Sequence, residues 1–287
     1  MGSKNIKLPK IIFSHEDLKP DTLVWNQVKS QVYKALVEYG CFEASFDKIP
    51  IYLYKPNLKT FQPNPMWDNT ILFHSMKAWA LMILTFLIKL KNLLKFYGPK
   101  EIFLFVILRA ISRVKPNNKE DDCGEFRGGK VHVNSTNYFL RLIKYKTPQS
   151  SETEMGLRAH TDTEILTILY QNHVNGLQLF TKDKQWKNIN PTPGTFTIII
   201  GDSLHAWTNG TIHAPYHRVL IRGSERRYSI GLFSTPKDGY TITTPKELIN
   251  EDHPLLFKPY NHLEFLTFSY TEEGMQCESA LKTYCGV

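Results

Sequence analysis

Leu166-Thr-Ile-Leu-Tyr170, a turn at Asn175-Gly176, Leu177-Gln-Leu-Phe180, a turn at Pro193-Gly194, then Phe196-Thr-Ile-Ile-Ile200: this stretch decides the fold. Short runs of β-branched and aromatic residues are cut by residues that suit tight turns, which is strand punctuation rather than helical periodicity. Working outward, Tyr138 to Tyr145, Val219 to Ile221 and Tyr228 to Phe233 repeat the pattern, with further turns at Asn209-Gly210 and Gly223. Many short strands at this spacing predict an antiparallel sandwich or barrel, with a barrel expected from Asn137 to Lys237. Ahead of it the chain changes period. Leu8 to Phe13 reads as a strand, and Thr22 to Tyr39 as a helix, because Val24, Val28, Val32, Ala35, Leu36 and Tyr39 recur at helical spacing. Gly40 stands where a glycine would stop that helix.

Chemistry gathers in the strand-rich half. His160-Thr-Asp162 is an H-x-D triplet, and on extended chain a spacing of two turns both side chains to one face. His217, entering the strand at Ala214-Pro-Tyr-His-Arg-Val219, supplies a second imidazole. Two neutral imidazoles and a carboxylate are the ligand set of non-haem Fe(II) oxygenases, with open positions left on the metal. A hydrolytic zinc site would use the same donors. Arg227 and Ser229, in Arg226-Arg-Tyr-Ser229, then share one face of a strand. A guanidinium fork beside a hydroxyl is a receptor for a carboxylate. A hydrolytic zinc enzyme has no use for it, whereas an oxygenase that chelates iron with a 2-oxo acid needs a cation for the far carboxylate. No catalytic residue is read beyond the metal ligands.

These motifs, with Asn134-Ser-Thr-Asn-Tyr, Ile168-Leu-Tyr-Gln-Asn-His-Val, Ile200-Gly-Asp-Ser-Leu204 and Cys285-Gly-Val287, resemble the plant 2-oxoglutarate- and Fe(II)-dependent dioxygenases. The likeness is to the AOP-type branch, which modifies glucosinolate side chains, and it spans about Lys7 to Ile51 and Asn134 to Val287. It implies a double-stranded β-helix (jelly roll) core, mainly β, with N-terminal helices. It implies that His160, Asp162 and His217 bind Fe(II), and that Arg227, Ser229 and Tyr145 contact 2-oxoglutarate. Ile143 stands where relatives often carry a co-substrate-binding Asn. The implied reaction oxidises a small plant metabolite with O2 while 2-oxoglutarate is decarboxylated to succinate and CO2; ascorbate is a further candidate cofactor.

Residues 65–133 do not resemble the family. Met and Trp have single codons, so a frame shifted by two bases is nearly determined there. Met66-Trp67 gives Val, Trp67-Asp68 Gly, Met76-Lys77 Glu, Trp79-Ala80 Gly and Met82-Ile83 Asp, each as the family carries it. The segment is therefore read as out of frame, dividing the chain into an N-terminal helical and strand region, 1–136, and a dioxygenase domain, 137–287. The chain as written is expected to pack badly from Ile51 to Val133, which leaves an inactive product of a decayed or misread gene as the alternative to a working enzyme.

Composition sets the remaining expectations. The net charge is +8, but eleven Lys or Arg against six Asp or Glu between Pro65 and Val133 supply +5 of it, so the excess belongs to the anomalous segment. No basic run is interleaved with aromatics, which argues against nucleic acid. The apolar run Ala78 to Ile88 is too short to span a bilayer. Cys41, Cys123, Cys277 and Cys285 form no C-x-x-C pair. A monomeric cytoplasmic protein with a small-molecule substrate is expected, without a membrane or nucleic-acid partner.

Overall fold

The computed structural model describes residues 5–13, 22–45, 136–148 and 153–287. In chain order these residues form strands β1 (Asn5–Ile6) and β2 (Lys10–Ile12), helix α1 (Leu23–Tyr39), then β3 (Cys41–Ser45), β4 (Thr136–Lys144), β5 (Glu154–His160), β6 (Leu166–Gln171), β7 (Leu177–Phe180), β8 (Trp186–Ile189) and β9 (Phe196–Ile200). Helix α2 (Asp202–Trp207), β10 (His217–Ile221), β11 (Tyr228–Pro236), β12 (Thr241–Ile242) and β13 (Tyr260–Asn261) follow, and α3 (His262–Ser269), α4 (Glu272–Gln276) and α5 (Ala280–Cys285) close the chain. Residues 65–133, which the sequence reading takes to be out of frame, lie outside the described residues together with their apolar runs.

Two sheets make the core. The small one runs β1-β8-β7-β10-β5, the large one β2-β3-β9-β6-β11-β4. Pairing is antiparallel except β1 with β8 and β2 with β3. This is the jelly-roll architecture, mainly β. The expected barrel is instead an open pair of sheets: each keeps its own hydrogen-bonded order and they meet through side chains. Leu169, Ile199 and Cys41 of the large sheet pack with Leu177, Leu179, Ile189, Val219 and Ile221 of the small one. The described residues ahead of 136 are built into both layers, since β1 edges the small sheet while β2 and β3 extend the large one.

The other face of the large sheet is covered by helices. Thr22 caps α1 by accepting from the Trp25 amide at 3.2 Å. Trp25, Val28, Val32, Ala35 and Leu36 form its buried stripe against Phe42, Ala44, Ile198 and Ile200, joined by Phe265 and Leu281 of the C-terminal helices. Each fully buried side chain of this size contributes roughly 1.5–3 kcal/mol. Gly40 ends α1 in the left-handed region (φ 65°), and its N–H reaches the Leu36 carbonyl at 3.0 Å. A Cβ there would stand 2.2 Å from the His213 carbonyl oxygen, so this position needs glycine for its conformation and for space.

Candidate metal and co-substrate site

β5 ends at His160, β10 begins at His217, and the two residues face each other in register. Their rings are therefore neighbours, 4.3 Å between centroids. Asp162 lies past the end of β5 rather than on it, so the triplet does not act as two residues of one strand. The loop returns the carboxylate instead: Asp162 Oδ1 is 3.4 Å from His160 Nε2 and 3.7 Å from His217 Nε2. All three donors lie within 4.8 Å of one another. An ion bonded at about 2.0–2.2 Å to each would fit this spacing.

The remaining atoms of the three side chains are already engaged. Nδ1 of His160 meets the Arg158 carbonyl at 2.8 Å, and Nδ1 of His217 the Pro215 carbonyl at 3.0 Å. A carbonyl only accepts, so both Nδ1 atoms carry the proton and both Nε2 lone pairs face the shared centre. Thr167, on β6, donates to Asp162 Oδ2 at 2.6 Å and leaves Oδ1 for a cation.

A second element grips the loop from behind. The Gly201, Asp202 and Ser203 amides donate to the Ile165, Asp162 and Glu164 carbonyls at 3.1, 2.7 and 3.2 Å, while Ser203 Oγ reaches the Thr163 carbonyl at 2.7 Å. Thr161 donates to Asp202 Oδ2 at 2.8 Å. A Cβ at Gly201 would lie 2.0 Å from the Glu164 carbonyl oxygen, so the approach is backbone to backbone.

The electrostatics follow from this crowding. Burial works to raise the Asp162 pKa, but His217, His160 and the Thr167 hydroxyl outweigh it and hold the carboxyl at about 2. Burial keeps His217 below its ordinary value; for His160 the Asp162 carboxylate and the Arg158 carbonyl overcome burial and raise it. Asp202 is pushed up to about 7 by burial, against the Thr161 bond and with help from Asp162 and Glu164. Glu164 also rises to about 7, through burial and then Asp162, with Arg141 and His160 pulling it back.

Arg227, just ahead of β11, is fully buried. Its Nη2 donates to Gln171 Oε1 at 2.8 Å and its Nη1 points to Ser229 Oγ at 3.4 Å. Its guanidinium lies 4.6 Å from the centre of the buried Tyr145 ring. Nε has no partner, and among the described residues no carboxylate pairs with this cation. Burial lowers its pKa. A buried charge with no counter-ion is costly unless an anion arrives to share the site. Ile143 sits beside Ser229 in register.

A family model described as the 2OG-Fe(II) oxygenase superfamily matches residues 132–236. The Arabidopsis thaliana protein described as probable 2-oxoglutarate-dependent dioxygenase AOP1.2 is 36% identical over 310 residues, covering 98% of this chain and 97% of its own. The chain belongs to the 2-oxoglutarate- and Fe(II)-dependent dioxygenases. Its place is in the AOP-type branch: a second Arabidopsis thaliana relative, described as AOP1, is 37% identical over 299 residues and covers 95% of this chain and 99% of its own. The 310-position alignment is longer than the 287 residues here, so that relative carries segments this chain lacks. Among solved structures, the rice dioxygenase for auxin oxidation shares the fold with a TM-score of 0.63 at 17% identity, over 92% of this chain and 95% of its own. JOX2, crystallised with 2OG, Fe and JA, gives 0.61 at 18% identity, over 99% and 90%. The cofactors of the dioxygenase are Fe(II) and the co-substrate 2-oxoglutarate. No helix among the described residues is long and apolar enough to cross a membrane.

Several residues in this dioxygenase site escape a reading of the sequence alone. Gln171 shares a face with Thr167 by the period of two, but nothing local says that its oxygen is turned to Arg227. Its amide nitrogen is held by the Val174 carbonyl and Asn175 Oδ1 at 3.3 and 3.4 Å, which fixes that orientation. Thr167, Thr161 and Asp202 are of the same kind, partners recognisable only once the ligands are placed.

Proposed function

We propose that His160, Asp162 and His217 hold Fe(II) and that Arg227, Ser229 and Tyr145 receive the distal carboxylate of 2-oxoglutarate, in a working dioxygenase that oxidises a small plant secondary metabolite. The observation that carries this is the pairing of two unlike chemistries: three oriented donors at one place and, on the facing sheet, a buried guanidinium with no carboxylate partner among the described residues. The bound iron would supply O2 activation coupled to decarboxylation of the 2-oxo acid. The protein's part is orientation. Arg158 and Pro215 carbonyls fix the imidazoles, Thr167 fixes the carboxylate, and Gln171 steadies the guanidinium. The apolar wall from Leu169, Val219 and Ile221 limits water near the site.

The donor set and the cation pocket are both intact, which favours a working enzyme over the decayed-gene alternative. We take 137–287 as the catalytic jelly roll and 1–136 as its N-terminal region, with 65–133 out of frame, in a cytoplasmic monomer. The test is succinate formation from 2-oxoglutarate under air, with and without Fe(II), for the chain as written and a frame-corrected one. Iron-dependent succinate from the corrected chain, lost in Asp162→Ala, is expected. Succinate formation indifferent to Asp162 would refute the assignment.

A further inference from the structure

Arg141 is a second arginine on the wall that carries Tyr145, and it has a different setting from Arg227. It lies on β4 opposite Gly231, in the alternation that brings Ile143 opposite Ser229 and Tyr145 beside Arg227. Four residues separate it from Tyr145, about 14 Å along a strand. Its guanidinium leans away from Arg227, over the rings of Phe139 and Phe233, with 5.5 and 5.3 Å to their centres. Those rings stack on each other at 4.8 Å, only 7° from parallel. Phe233 pairs with Thr167, the residue that bonds Asp162, so this end of the wall belongs to the metal rather than to the co-substrate carboxylate.

Three features make the location suited to a ligand. Gly231 makes room for the Phe233 ring to lie on the wall beside Arg141, since a Cβ there would meet that ring at 2.5 Å. The Arg141 guanidinium makes no ion pair with a described carboxylate, and Glu164, though close enough to feel its charge, is not within pairing distance. Finally, the side chain is exposed, so its donors are open to a molecule entering beside the metal.

We infer that Arg141, Phe139 and Phe233 form the recognition site for the primary substrate, which is a small molecule carrying an anionic group (carboxylate, sulfate or phosphate) on an apolar or aromatic stem. The anion meets the planar guanidinium and the stem lies along the phenylalanine pair, next to the metal ligands. Arg227 is already assigned to the co-substrate, so the two cations divide the two anions between them. The nearby carboxylates Asp162 and Glu164 oppose an anion, which makes Arg141 the decisive group on this wall. This rests on the proposed dioxygenase reading and names its substrate class.

The experiment is calorimetric titration of anaerobic protein with 3-phenylpropanoate, phenethyl sulfate and phenethyl phosphate, each against the neutral 3-phenylpropanamide, in wild type, Arg141→Gln and Arg141→Lys. Each titration is done with Fe(II) and 2-oxoglutarate and again without them. At least one anion is expected to bind about tenfold more tightly than the amide in wild type. Arg141→Gln should erase that preference, Arg141→Lys should keep part of it, and 2-oxoglutarate affinity should stay unchanged in both. Equal binding of anions and amide to wild type, or a preference that survives in Arg141→Gln, overturns the inference. Loss of 2-oxoglutarate binding in wild type would count against the dioxygenase reading instead, and an Arg141-dependent preference seen without co-substrate would still support this one.

Discussion

The metal end and the proposed co-substrate end of this site lie on facing sheets but are built on opposite plans. At the metal end every ligand has its second polar atom engaged by a carbonyl, a hydroxyl or the backbone clamp at 201–203. At the co-substrate end the guanidinium has a neutral amide, a long contact to Ser229 and an unpartnered Nε. The first is organised by the protein alone, and in the proposed reading the second gains its ionic partner from the far carboxylate of the co-substrate. Metal affinity should therefore answer to substitutions that never touch the metal, while co-substrate affinity should answer to the charge fork itself.

The largest expected effect is Asp162→Ala, which removes the one anionic ligand; Fe(II) binding should vanish in anaerobic calorimetry. Gly201→Ala comes next and breaks the metal end from outside. Its methyl would press on the Glu164 carbonyl, and a loss of roughly 3 kcal/mol in chemical denaturation is expected, together with weaker Fe(II) binding. Unchanged stability there would show that the clamp yields freely. Thr167→Val keeps shape but frees Asp162 Oδ2; Fe(II) affinity should fall by about 10–100-fold with little change in co-substrate affinity measured at saturating metal. Arg227→Lys reverses the selectivity: 2-oxoglutarate affinity should drop by about tenfold despite the retained charge, because a fork becomes a point, and Fe(II) affinity should hold.

The smallest effect concerns pH. Asp202 has a folded pKa of about 7, raised mainly by burial, against an ordinary value of 3.8. The folded state thus keeps a proton that the unfolded chain gives up from about pH 4, so stability falls as pH rises between about 4 and 7 and is level above. Asp202→Asn retains an acceptor for Thr161 without a titrating proton. Melting curves of metal-free protein should show a shallower decline over that interval in the variant than in wild type.

What is legible in the sequence depends on whether a signal is local. Leu177 to Phe180 and Phe196 to Ile200 are strands with the bounds their apolar runs announce, and α1 starts one residue inside its Thr22 cap and stops at Gly40. β5 escapes because Glu-Met-Gly-Leu-Arg-Ala-His alternates little and stays largely exposed; its pairing with β10 makes it a strand. β3 and β8 are short runs that gain order only from partners elsewhere in the sheets. The C-terminal helices α3 to α5 are brief and held by caps at Asn261, Thr271 and Ser279 rather than by a long stripe. The metal ligands are legible because their spacing and residue types are themselves the chemistry. Gln171 and Arg141 are not, because their meaning comes from the register of β11 with its neighbours.

β3 also sets a timetable. Its Glu43 side chain is buried and takes hydrogen bonds from the Thr192 amide and the Thr195 hydroxyl at 3.0 and 3.2 Å. The first of those partners is 149 residues further along the chain. During synthesis at about 5–20 residues per second, the N-terminal strands therefore wait roughly seven to thirty seconds for the sheet that completes them. His217 emerges later still, so a nascent chain has neither a closed core nor a full ligand set until most of it has been made. The ligand set is thus assembled only late in synthesis, and the waiting N-terminal strands are the surface that a chaperone would have to shield.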